Sequence, residues 1–352
     1  MVTLYPNSYR VAVIGASGNV GSNTLSMLAE KDFPISKIYA VASDRSSGND
    51  INFGNRGILK ITGISDFNFK DVDLAFFCAG SDVSKQYVEK AIQNNVTVID
   101  KTSHFRYHPK VPLIVPEVNE NILLKGAELG IVSNPNCIAI PLSMTLKALD
   151  NVSKIKRVIV STYQAVSGAG KLANDELKNQ IRAIQNNEPV VTKVFTKQIA
   201  YNVIPSIDTP RIGGITGEEE KIANEILKIV GKHVKIFITC VRVPVLVGHS
   251  MSVVVETENE ISPSEAYDVF ASFPGIVVKD NLSNNDYATP IDAEGQDVVF
   301  VSRIRRDISA KNSIGYWVTA DNLRKGASLN GVMIAKSMIK IDPTLSIFKN
   351  KN

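Results

Sequence analysis

One stretch near the start of the chain is decisive for its fold class: Arg10-Val-Ala-Val-Ile-Gly15-Ala-Ser17-Gly18-Asn19-Val20-Gly21. Its apolar residues predict a short buried strand, and its glycines predict a turn that leads directly into a helix. Gly15 permits the tight turn, Gly18 lets backbone N–H groups approach a pyrophosphate, and Gly21 allows the helix to pack closely on the strand. We therefore expect a dinucleotide-binding loop, with a purely structural glycine turn as the alternative.

The segments that follow alternate short apolar runs with amphipathic stretches, a pattern typical of a doubly wound parallel sheet. Strands are predicted near Arg10–Ile14, Ile38–Ala42, Leu59–Ile61, Leu74–Cys78, Thr97–Ile99 and Gly130–Ser133. Two of the intervening helices are predicted at Gly21–Glu30 and Ser81–Asn94. Because the glycine turn follows the first strand of a βαβ series, this context favours the dinucleotide-binding interpretation.

The end of the second predicted strand, Ala42-Ser-Asp-Arg-Ser-Ser-Gly48, bears on the choice of dinucleotide. An acid at this place bonds a ribose 2′-hydroxyl, whereas an arginine with serine hydroxyls holds a 2′-phosphate. The segment contains both Asp44 and Arg45, so it leaves the choice open. We favour NADP, because Arg45, Ser43 and Ser46 together provide a positive charge and several donors; a solvated turn is the alternative.

After Cys137 the pattern changes to longer, alternating strands, near Lys235–Val245, Met251–Glu256 and Val298–Arg303. Such strands have one face that is exposed or covered by a partner, which predicts a second, mixed-sheet domain. Helices are predicted at Lys171–Gln185, Glu218–Val230, Pro263–Ser272 and Leu323–Ile339, the last returning to the first domain. The predicted domains are residues 1–136 with 323–352, and residues 137–322.

The composition excludes several classes of function. The chain of 352 residues has 39 basic and 35 acidic side chains, and its net charge of +4 is spread without the basic clusters of a nucleic-acid groove. Its apolar runs are far shorter than the ~20 residues that span a bilayer. Met1–Arg10 lacks the apolar centre of a signal peptide, and three cysteines cannot build a disulfide framework. We expect a cytoplasmic protein without a metal site.

A candidate nucleophile ends the run Asn134-Pro-Asn-Cys137, which leads directly into an amphipathic stretch. Asn136 is predicted to cap this helix, which would place the Cys137 thiol in the field of a helix N-terminus, where a thiolate is stabilised. Cys78 and Cys240 lie in predicted strands and are interpreted as small buried hydrophobes. An inert thiol is the alternative for Cys137.

A nucleophilic thiol needs an acid–base partner, and the chain offers His104, His108, His233 and His249. His249 is the strongest candidate, because Val243-Pro-Val-Leu-Val-Gly-His-Ser250 separates two strands with a proline and a glycine, as active-site loops often do. The alternative is a histidine in a surface loop.

Six motifs in order make the chain resemble the aspartate-semialdehyde dehydrogenase family almost from end to end. They are Gly15-Ala-Ser-Gly-Asn-Val-Gly21, Pro112-Leu-Ile-Val-Pro-Glu-Val-Asn119, Asn134-Pro-Asn-Cys137, Gln164-Ala-Val-Ser-Gly-Ala-Gly170, Cys240-Val-Arg-Val-Pro-Val245 with Gly248-His-Ser250, and Asp321-Asn-Leu-Arg-Lys-Gly-Ala327. The resemblance implies an α/β protein with a doubly wound (Rossmann) NADP-binding domain and an α+β mixed-sheet domain for catalysis and dimerisation. It also implies a homodimer or a dimer of dimers.

The activity that the resemblance implies is the reversible, NADP-dependent reductive dephosphorylation of L-aspartyl 4-phosphate to L-aspartate 4-semialdehyde, in lysine, threonine and methionine biosynthesis. Cys137 would carry a thiohemiacetal and then a thioester. His249 would move the proton on and off the substrate oxygen and the thiol, and Gln164 would orient the substrate.

The resemblance also implies ligands for a small zwitterionic substrate. Arg242 would bind its carboxylate, Glu218 its ammonium group, and Lys221 with Arg106 the phosphate; Asn136 is a further implied substrate contact. Without the resemblance, an exposed helical pair is the preferred interpretation of Glu218 and Lys221. The implied cofactor contacts are Gly15, Ser17, Gly18, Asn19, Val20, Gly21, Ser43, Arg45, Ser46, Ser167, Gly168 and Asn322.

Three positions depart from the family pattern. Ile138 follows the cysteine where Ser or Thr is common, Met251 stands where an acid or amide is common, and Lys101-Thr-Ser-His-Phe-Arg106 differs from the usual Asn-Ser-Ser run. Two rival functions remain. An N-acetyl-γ-glutamyl-phosphate reductase usually carries Gly where this chain has Asn136, and a catalytically silent NADP-binding paralogue would lack Cys137, Gln164 or His249, all of which are present.

Overall fold

The computed structural model describes residues 8–125 and 127–349. The described residues divide into two compact units. Unit 1 consists of those within Met1–Asn136 and Ala327–Asn352, and unit 2 of those within Cys137–Gly326. The chain therefore leaves unit 2 after Gly326, whereas the sequence pattern placed the return after Asn322.

Unit 1 is built on a seven-stranded sheet in the order β3-β4-β2-β1-β5-β6-β7. Its strands are β1 (Tyr9–Ile14), β2 (Ile35–Ala42), β3 (Asp50–Asn52), β4 (Ile58–Gly63), β5 (Leu74–Phe77), β6 (Thr97–Asp100) and β7 (Ile131–Ser133). Neighbouring strands are parallel except β3, which pairs antiparallel with β4. Apart from β3 this is the strand order of a doubly wound dinucleotide-binding sheet, so the predicted fold class is confirmed.

Both faces of this sheet are covered, because alternate residues of its strands point to opposite sides. Val11 and Val13 of β1 belong to one apolar cluster, and Ala12 and Ile14 to another. The helices of unit 1 are α1 (Asn19–Glu30), α2 (Ser81–Gln93), α3 (Pro116–Asn119) and α9 (Leu329–Ile341). The first cluster includes apolar residues of α1 and α9, and the second includes those of α2.

Two features of unit 1 differ from the prediction. The edge strand β3 escaped it because Asp50 and Asn52 are exposed and polar, and only Ile51 is partly buried. The last helix begins at Leu329 rather than Leu323. The Asp321 carboxylate accepts hydrogen bonds from the backbone N–H groups just after it, and a π-helical turn, Arg324–Ser328, precedes the α-helix.

Unit 2 contains a six-stranded mixed sheet in the order β11-β14-β15-β10-β8-β9. Its strands are β8 (Ile155–Gln164), β9 (Lys235–Arg242), β10 (His249–Thr257), β11 (Ile276–Val278), β14 (Val299–Arg306) and β15 (Ser313–Ala320). A separate hairpin pairs β12 (Asp280–Asn281) with β13 (Asp286–Tyr287). The helices are α4 (Ala139–Asp150), α5 (Lys171–Gln185), α6 (Gly217–Ile229), α7 (Pro263–Ser272) and α8 (Pro290–Ala293).

One face of the unit 2 sheet packs against helices, and the other carries apolar side chains exposed to solvent. Helices α4, α6 and α7 contact strands of the sheet. On the other face, which we call the open face, Phe237 is 62% exposed and Tyr163, whose ring lies 5.3 Å from that of Trp317 in a tilted contact, is 37% exposed. The strands alternate as predicted, with one apolar face left uncovered within the described part of the chain.

The region around Cys137 corrects one expectation. Helix α4 begins at Ala139, and its N-cap is Ile138, which has a helical conformation and forms no side-chain cap hydrogen bond. The prediction that Asn136 caps this helix is therefore wrong, and Cys137 precedes the first turn instead of lying in it. No helix in residues 8–125 and 127–349 is long and apolar enough to cross a membrane.

Candidate active site

The glycine turn of unit 1 is required by close backbone contacts. Gly15 has φ +86°, and a Cβ added there would lie 2.7 Å from the Ala79 nitrogen. A Cβ at Gly21 would lie 2.0 Å from the Gly15 carbonyl oxygen, which is the close helix–strand packing that the sequence predicts. These contacts bring the backbone after β1 next to the end of β5.

The start of α1 presents unsatisfied donors. Its N-cap is Gly18, which has no side chain to bond the first-turn N–H groups, and no acid lies in that turn. The Asn19 Nδ2 atom is buried without a hydrogen-bond partner among the described residues. A cavity of about 290 Å³ adjoins the turn, lined mainly by residues at the ends of β1, β2 and β5. An anionic dinucleotide fits this cradle, since helix N-termini bind phosphate.

The loop after β2 gives different environments to Asp44 and Arg45, the two residues that left the choice between NAD and NADP open. The Asp44 carboxylate accepts hydrogen bonds from the backbone N–H (3.2 Å) and the hydroxyl (2.7 Å) of Ser65, which lower its pKa. Arg45 and Ser43 are exposed, and the Ser43 and Ser46 hydroxyls lie 3.5 Å apart. The Asp44 carboxylate is therefore already hydrogen-bonded to another residue of unit 1.

Arg106 is also anchored within unit 1, by backbone carbonyls. It is buried, its Nε donates to the Asn134 carbonyl (3.0 Å), and its Nη2 donates to the Lys101 carbonyl (2.9 Å). Asn136 is buried as well. Burial lowers the pKa of the Lys101 ammonium to about 8, and its Nζ donates to the Thr24 hydroxyl (2.7 Å). The Lys101 side chain is therefore hydrogen-bonded in the interior of unit 1, and its backbone carbonyl accepts a hydrogen bond from Arg106.

In unit 2, three predicted site residues meet at one end of the sheet. Gln164 is the last residue of β8 and pairs with Arg242, the last residue of the parallel strand β9. His249 is the first residue of β10, which runs antiparallel to β8. His249 therefore belongs to a strand and is 1% exposed, so the alternative of a surface-loop histidine is wrong.

His249 is held in one tautomer. The Ala165 N–H donates to its Nδ1 (2.9 Å), so the proton of the neutral ring is on Nε2. Burial, together with the charge of Arg242, holds the pKa of His249 well below its ordinary value of 6.5. Nε2 has no partner among the described residues. At neutral pH the ring is an uncharged donor whose N–H is available to a ligand.

Arg242 is the buried positive charge that interacts with both the thiol and the carboxylate of the cluster. It is buried, its Nη1 donates to the Ala165 carbonyl (2.7 Å), and it interacts electrostatically with Cys137 and Glu218. Burial lowers its pKa, but an arginine remains protonated. A Cβ added at Gly168 would lie 3.1 Å from Nη1 of Arg242 and 3.2 Å from Nε2 of His249, so glycine keeps both atoms accessible.

Gln164 and Glu218 complete this cluster. The buried Gln164 amide donates to Glu218 Oε1 (3.2 Å) and accepts from the Thr162 hydroxyl (3.0 Å). Glu218 lies in the first turn of α6 and is 8% exposed. The interpretation of Glu218 as a solvated residue is therefore wrong, whereas Lys221 is paired with Asp208.

The remaining predicted residues of unit 2 support the turn before His249. The Asn322 Oδ1 accepts from the Gly248 N–H (2.9 Å), and its Nδ2 donates to the Ser167 hydroxyl (2.9 Å). Gly248 has φ +96°, and a Cβ there would lie 2.9 Å from Pro290. Cys240 is buried in β9, where desolvation raises its pKa, as expected for an inert thiol.

Sequence reasoning missed three residues that orient the site. Thr162 holds the Gln164 amide, the Ala165 backbone binds both His249 and Arg242, and Asp208 pairs with Lys221. Thr162 could have been found, because it lies two residues before Gln164 on the same face of a strand. Asp208 lies in irregular chain and gives no such signal.

Comparisons with known proteins agree along both units. Residues 10–125 match the family model for the semialdehyde dehydrogenase NAD binding domain, and residues 146–325 match that for the semialdehyde dehydrogenase dimerisation domain. A protein of Rickettsia conorii named aspartate-semialdehyde dehydrogenase is 50% identical over 94% of this chain and 98% of its own length.

Solved structures give the same result. The Vibrio cholerae aspartate semialdehyde dehydrogenase II complexed with ASA has a TM-score of 0.92 and 39% identity, over 95% of this chain and 99% of that one. A Candida albicans aspartate semialdehyde dehydrogenase with NADP is 22% identical, with a TM-score of 0.71 over 96% of this chain and 100% of that one, which indicates a shared fold. The chain belongs to the aspartate-semialdehyde dehydrogenase family.

Proposed function

We propose that this chain catalyses the reversible, NADP-dependent reductive dephosphorylation of L-aspartyl 4-phosphate to L-aspartate 4-semialdehyde. The observation that carries the proposal is the cluster at one end of the unit 2 sheet. It combines a thiol at Cys137, a neutral histidine whose Nε2–H is available, and the oppositely charged Arg242 and Glu218. These groups match the aldehyde, the carboxylate and the ammonium group of the semialdehyde.

Cys137 acts as the nucleophile. In the oxidative direction its thiolate adds to the aldehyde carbon, and the carbonyl electron pair moves to oxygen. The nicotinamide, when bound, accepts a hydride in this direction and donates one in the other. At the thioester level a phosphate oxygen attacks the acyl carbon, and the Cys137 thiolate leaves as the acyl phosphate forms. Arg242 nearby favours the thiolate electrostatically.

The tautomer of His249 refines its role. Because Nδ1 accepts the Ala165 N–H and the pKa is depressed, the neutral ring offers a proton at Nε2 and no lone pair there. We assign this N–H to the substrate oxygen, where it stabilises the negative charge that develops when Cys137 adds. The donor role toward oxygen is thus favoured over that of a base toward the thiol.

The charged residues select a free amino acid. Arg242 binds the substrate carboxylate, and Glu218, already bonded to Gln164, accepts from the ammonium group. A buried carboxylate needs a cationic or donor partner, which an acetamide provides less well than an ammonium group. Glu218 therefore favours aspartate semialdehyde over the acetylated substrate of the rival reductase. The assignments of Lys221, Arg106 and Asn136 to phosphate and substrate stay predictions.

The cofactor is assigned to the cradle of unit 1. The turn of Gly15, Gly18 and Gly21, with the unpartnered Nδ2 of Asn19, fits a pyrophosphate. Arg45 with Ser43 and Ser46 would hold a 2′-phosphate, since the competing Asp44 is bonded to Ser65. Ser17 and Val20 belong to the same turn. Ser167, Gly168 and Asn322 remain predicted cofactor contacts of unit 2.

The second copy of the chain is assigned to the open face of unit 2. Phe237 and Tyr163 expose large apolar surfaces there, and such patches mark association sites. The family description of this region as a dimerisation domain supports a homodimer. A monomeric mass in solution would contradict this assignment, and the dimer of dimers stays a prediction, as does the cytoplasmic location.

A coupled assay tests the reaction. Protein is mixed with aspartate semialdehyde, phosphate and NADP, and the absorbance of the reduced cofactor is followed. We expect reduction that requires phosphate and all the other components. Turnover of the N-acetylated glutamate semialdehyde instead of aspartate semialdehyde would favour the rival reductase, and cofactor binding without turnover of either would favour the silent paralogue.

Replacing Arg45 with alanine is expected to weaken NADP much more than NAD. A charge-assisted contact to the 2′-phosphate contributes ~1.5–3 kcal/mol, which is roughly a ten- to hundredfold change in affinity. Titration of each cofactor measures this, with Arg56→Ala as the matched control, because Arg56 pairs with Asp32 elsewhere in unit 1. An equal loss for both cofactors would show that Arg45 does not contact that phosphate.

Arg242→Ala and Lys221→Ala are expected to affect different substrates. Lys221→Ala, like Arg106→Ala, should raise the KM for phosphate roughly ten- to hundredfold, because each removes one charge-assisted bond to an oxyanion. Arg242→Ala should impair use of the semialdehyde in both kcat and KM, because the aldehyde loses its alignment with Cys137. Kinetics with each substrate varied separately decide this. If Arg242→Ala changed only the phosphate KM, the two assignments would have to be exchanged.

A further inference from the structure

A long irregular segment of unit 2 lies against the proposed substrate residues. We call residues 186–216, between α5 and α6, the strap. Among the described residues its only β-sheet-like pairings are two isolated β-bridges, Ile204 with Arg242 and Pro210 with Thr216. Irregular segments longer than about 12–15 residues are uncommon in compact domains and are usually either functional loops or linkers.

The later part of the strap is fastened by apolar packing. Ile199, Ala200 and Ile204 belong to a buried cluster that also contains Ala173 and Leu177 of α5. In addition, the backbone N–H groups of Ile204 and Arg242 each donate to the other residue's carbonyl (2.9 Å in both cases). The strap is therefore joined directly to the strand end that carries Arg242.

The earlier part of the strap is held by one carboxylate. Glu176 of α5 is 7% exposed and accepts hydrogen bonds from the backbone N–H groups of Lys193 (2.9 Å), Val194 and Phe195 (3.4 Å). Three donors converging on one side chain suit a carboxylate, which offers two acceptor oxygens and no hydrogen. An amide would direct an N–H₂ group toward the same backbone donors.

A second polar residue, Gln180, lies one helical turn further along α5 and also binds the strap. We call Glu176 and Gln180 together the latch. The Gln180 Oε1 accepts from the N–H groups of Ile199 (2.9 Å) and Ala200 (3.1 Å), and its Nε2 donates to the Val191 carbonyl (3.1 Å) and to Glu176 (3.1 Å). Both side chains are buried, so Glu176 and Gln180 hold the strap backbone from within unit 2.

The latched residues form one wall of a cavity that contains Arg242. This cavity has a volume of about 280 Å³, and its lining includes Val194, Phe195 and Thr196 of the strap, together with Asp208 and Arg242. Asp208 is the partner of Lys221. Glu176 itself does not line this cavity among the described residues, so any effect it has there is exerted through the strap backbone.

We propose that Glu176 is a positioning residue for substrate recognition: by fixing the backbone of residues 193–195, its carboxylate sets part of the wall of the cavity that Arg242 also lines. This inference rests on the proposed assignment of Arg242 to the substrate carboxylate. Gln180 supports the same wall from the next turn of the helix.

The test compares Glu176→Gln with Asp175→Asn, which removes the same charge from an exposed neighbouring residue of α5. Glu176→Gln should raise the KM for aspartate semialdehyde roughly tenfold, because an amide cannot accept from all three backbone donors and the wall shifts, and it should leave the KM for NADP unchanged. It should also speed tryptic cleavage after the exposed Lys193 and Lys197. Asp175→Asn should change neither property.

Glu176→Asp gives a second variant that retains the charge, and it should restore part of the semialdehyde affinity. The proposal fails if the strap becomes cleavable while the semialdehyde KM stays unchanged, or if neither property changes. It also fails if kcat and both KM values deteriorate together with the thermal midpoint, since that indicates a purely structural role. Absence of turnover in the unmodified protein would instead refute the proposed function, and the proteolysis would still report on the latch.

Discussion

Replacing Cys137 with alanine is expected to abolish turnover in both directions while NADP binding stays near normal. Without the thiolate no thioester can form, and removal of a covalent nucleophile lowers kcat by about four orders of magnitude or more. Binding should persist because Cys137 belongs to unit 2, whereas the glycine turn assigned to the pyrophosphate belongs to unit 1. The coupled assay and a calorimetric titration with NADP measure the two properties.

The other two cysteines provide the controls. Burial raises the pKa of both Cys78 and Cys240, so each remains a thiol at neutral pH. Cys240→Ala should retain most of the activity, and alkylation that substrate prevents should map to Cys137 first. Substantial turnover by Cys137→Ala, or inactivation that maps to Cys240, would refute the assignment of the nucleophile.

The second large effect is expected at His249. His249→Ala should lower kcat/KM by roughly 10²–10³-fold, the usual cost of removing one donor to a developing oxyanion. His249→Gln should retain more activity than alanine, since its amide N–H₂ is an uncharged donor on a chain of similar reach. Because burial and Arg242 keep the pKa of His249 well below 6.5, titration of this ring should cause no change in rate as the pH crosses 6.5.

This prediction distinguishes a donor from a general base. His249 would be shown to act as a base by two results together. The rate of the unmodified protein would change with pH near 6.5, and His249→Gln would lack this change and be as inactive as His249→Ala. His108→Gln is the matched control, because His108 is exposed and belongs to unit 1. Thermal melting of each variant separates a loss of donor function from a loss of folding.

Prediction from the sequence succeeded where short-range patterns govern the structure. The parallel strands of unit 1 were predicted because buried strands are continuous apolar runs, and α5 and α7 have the predicted bounds. It failed where a side chain changes the local backbone. The Asp321 carboxylate bonds the N–H groups that follow it, so α9 begins later than its apolar periodicity suggests. Similarly, Ile138 rather than Asn136 occupies the N-cap of α4.

The sequence by itself determined the doubly wound sheet and the glycine turn, and it singled out Cys137 as the candidate nucleophile, because each depends on residue type and spacing within a short stretch. Only the tertiary structure decided the chemical state of the site. The His249 tautomer depends on the Ala165 N–H, 84 positions away, and the environment of Glu218 depends on Gln164, 54 positions away. Such pairings arise when strands and helices distant in the chain pack together and exclude water, and no local pattern encodes them.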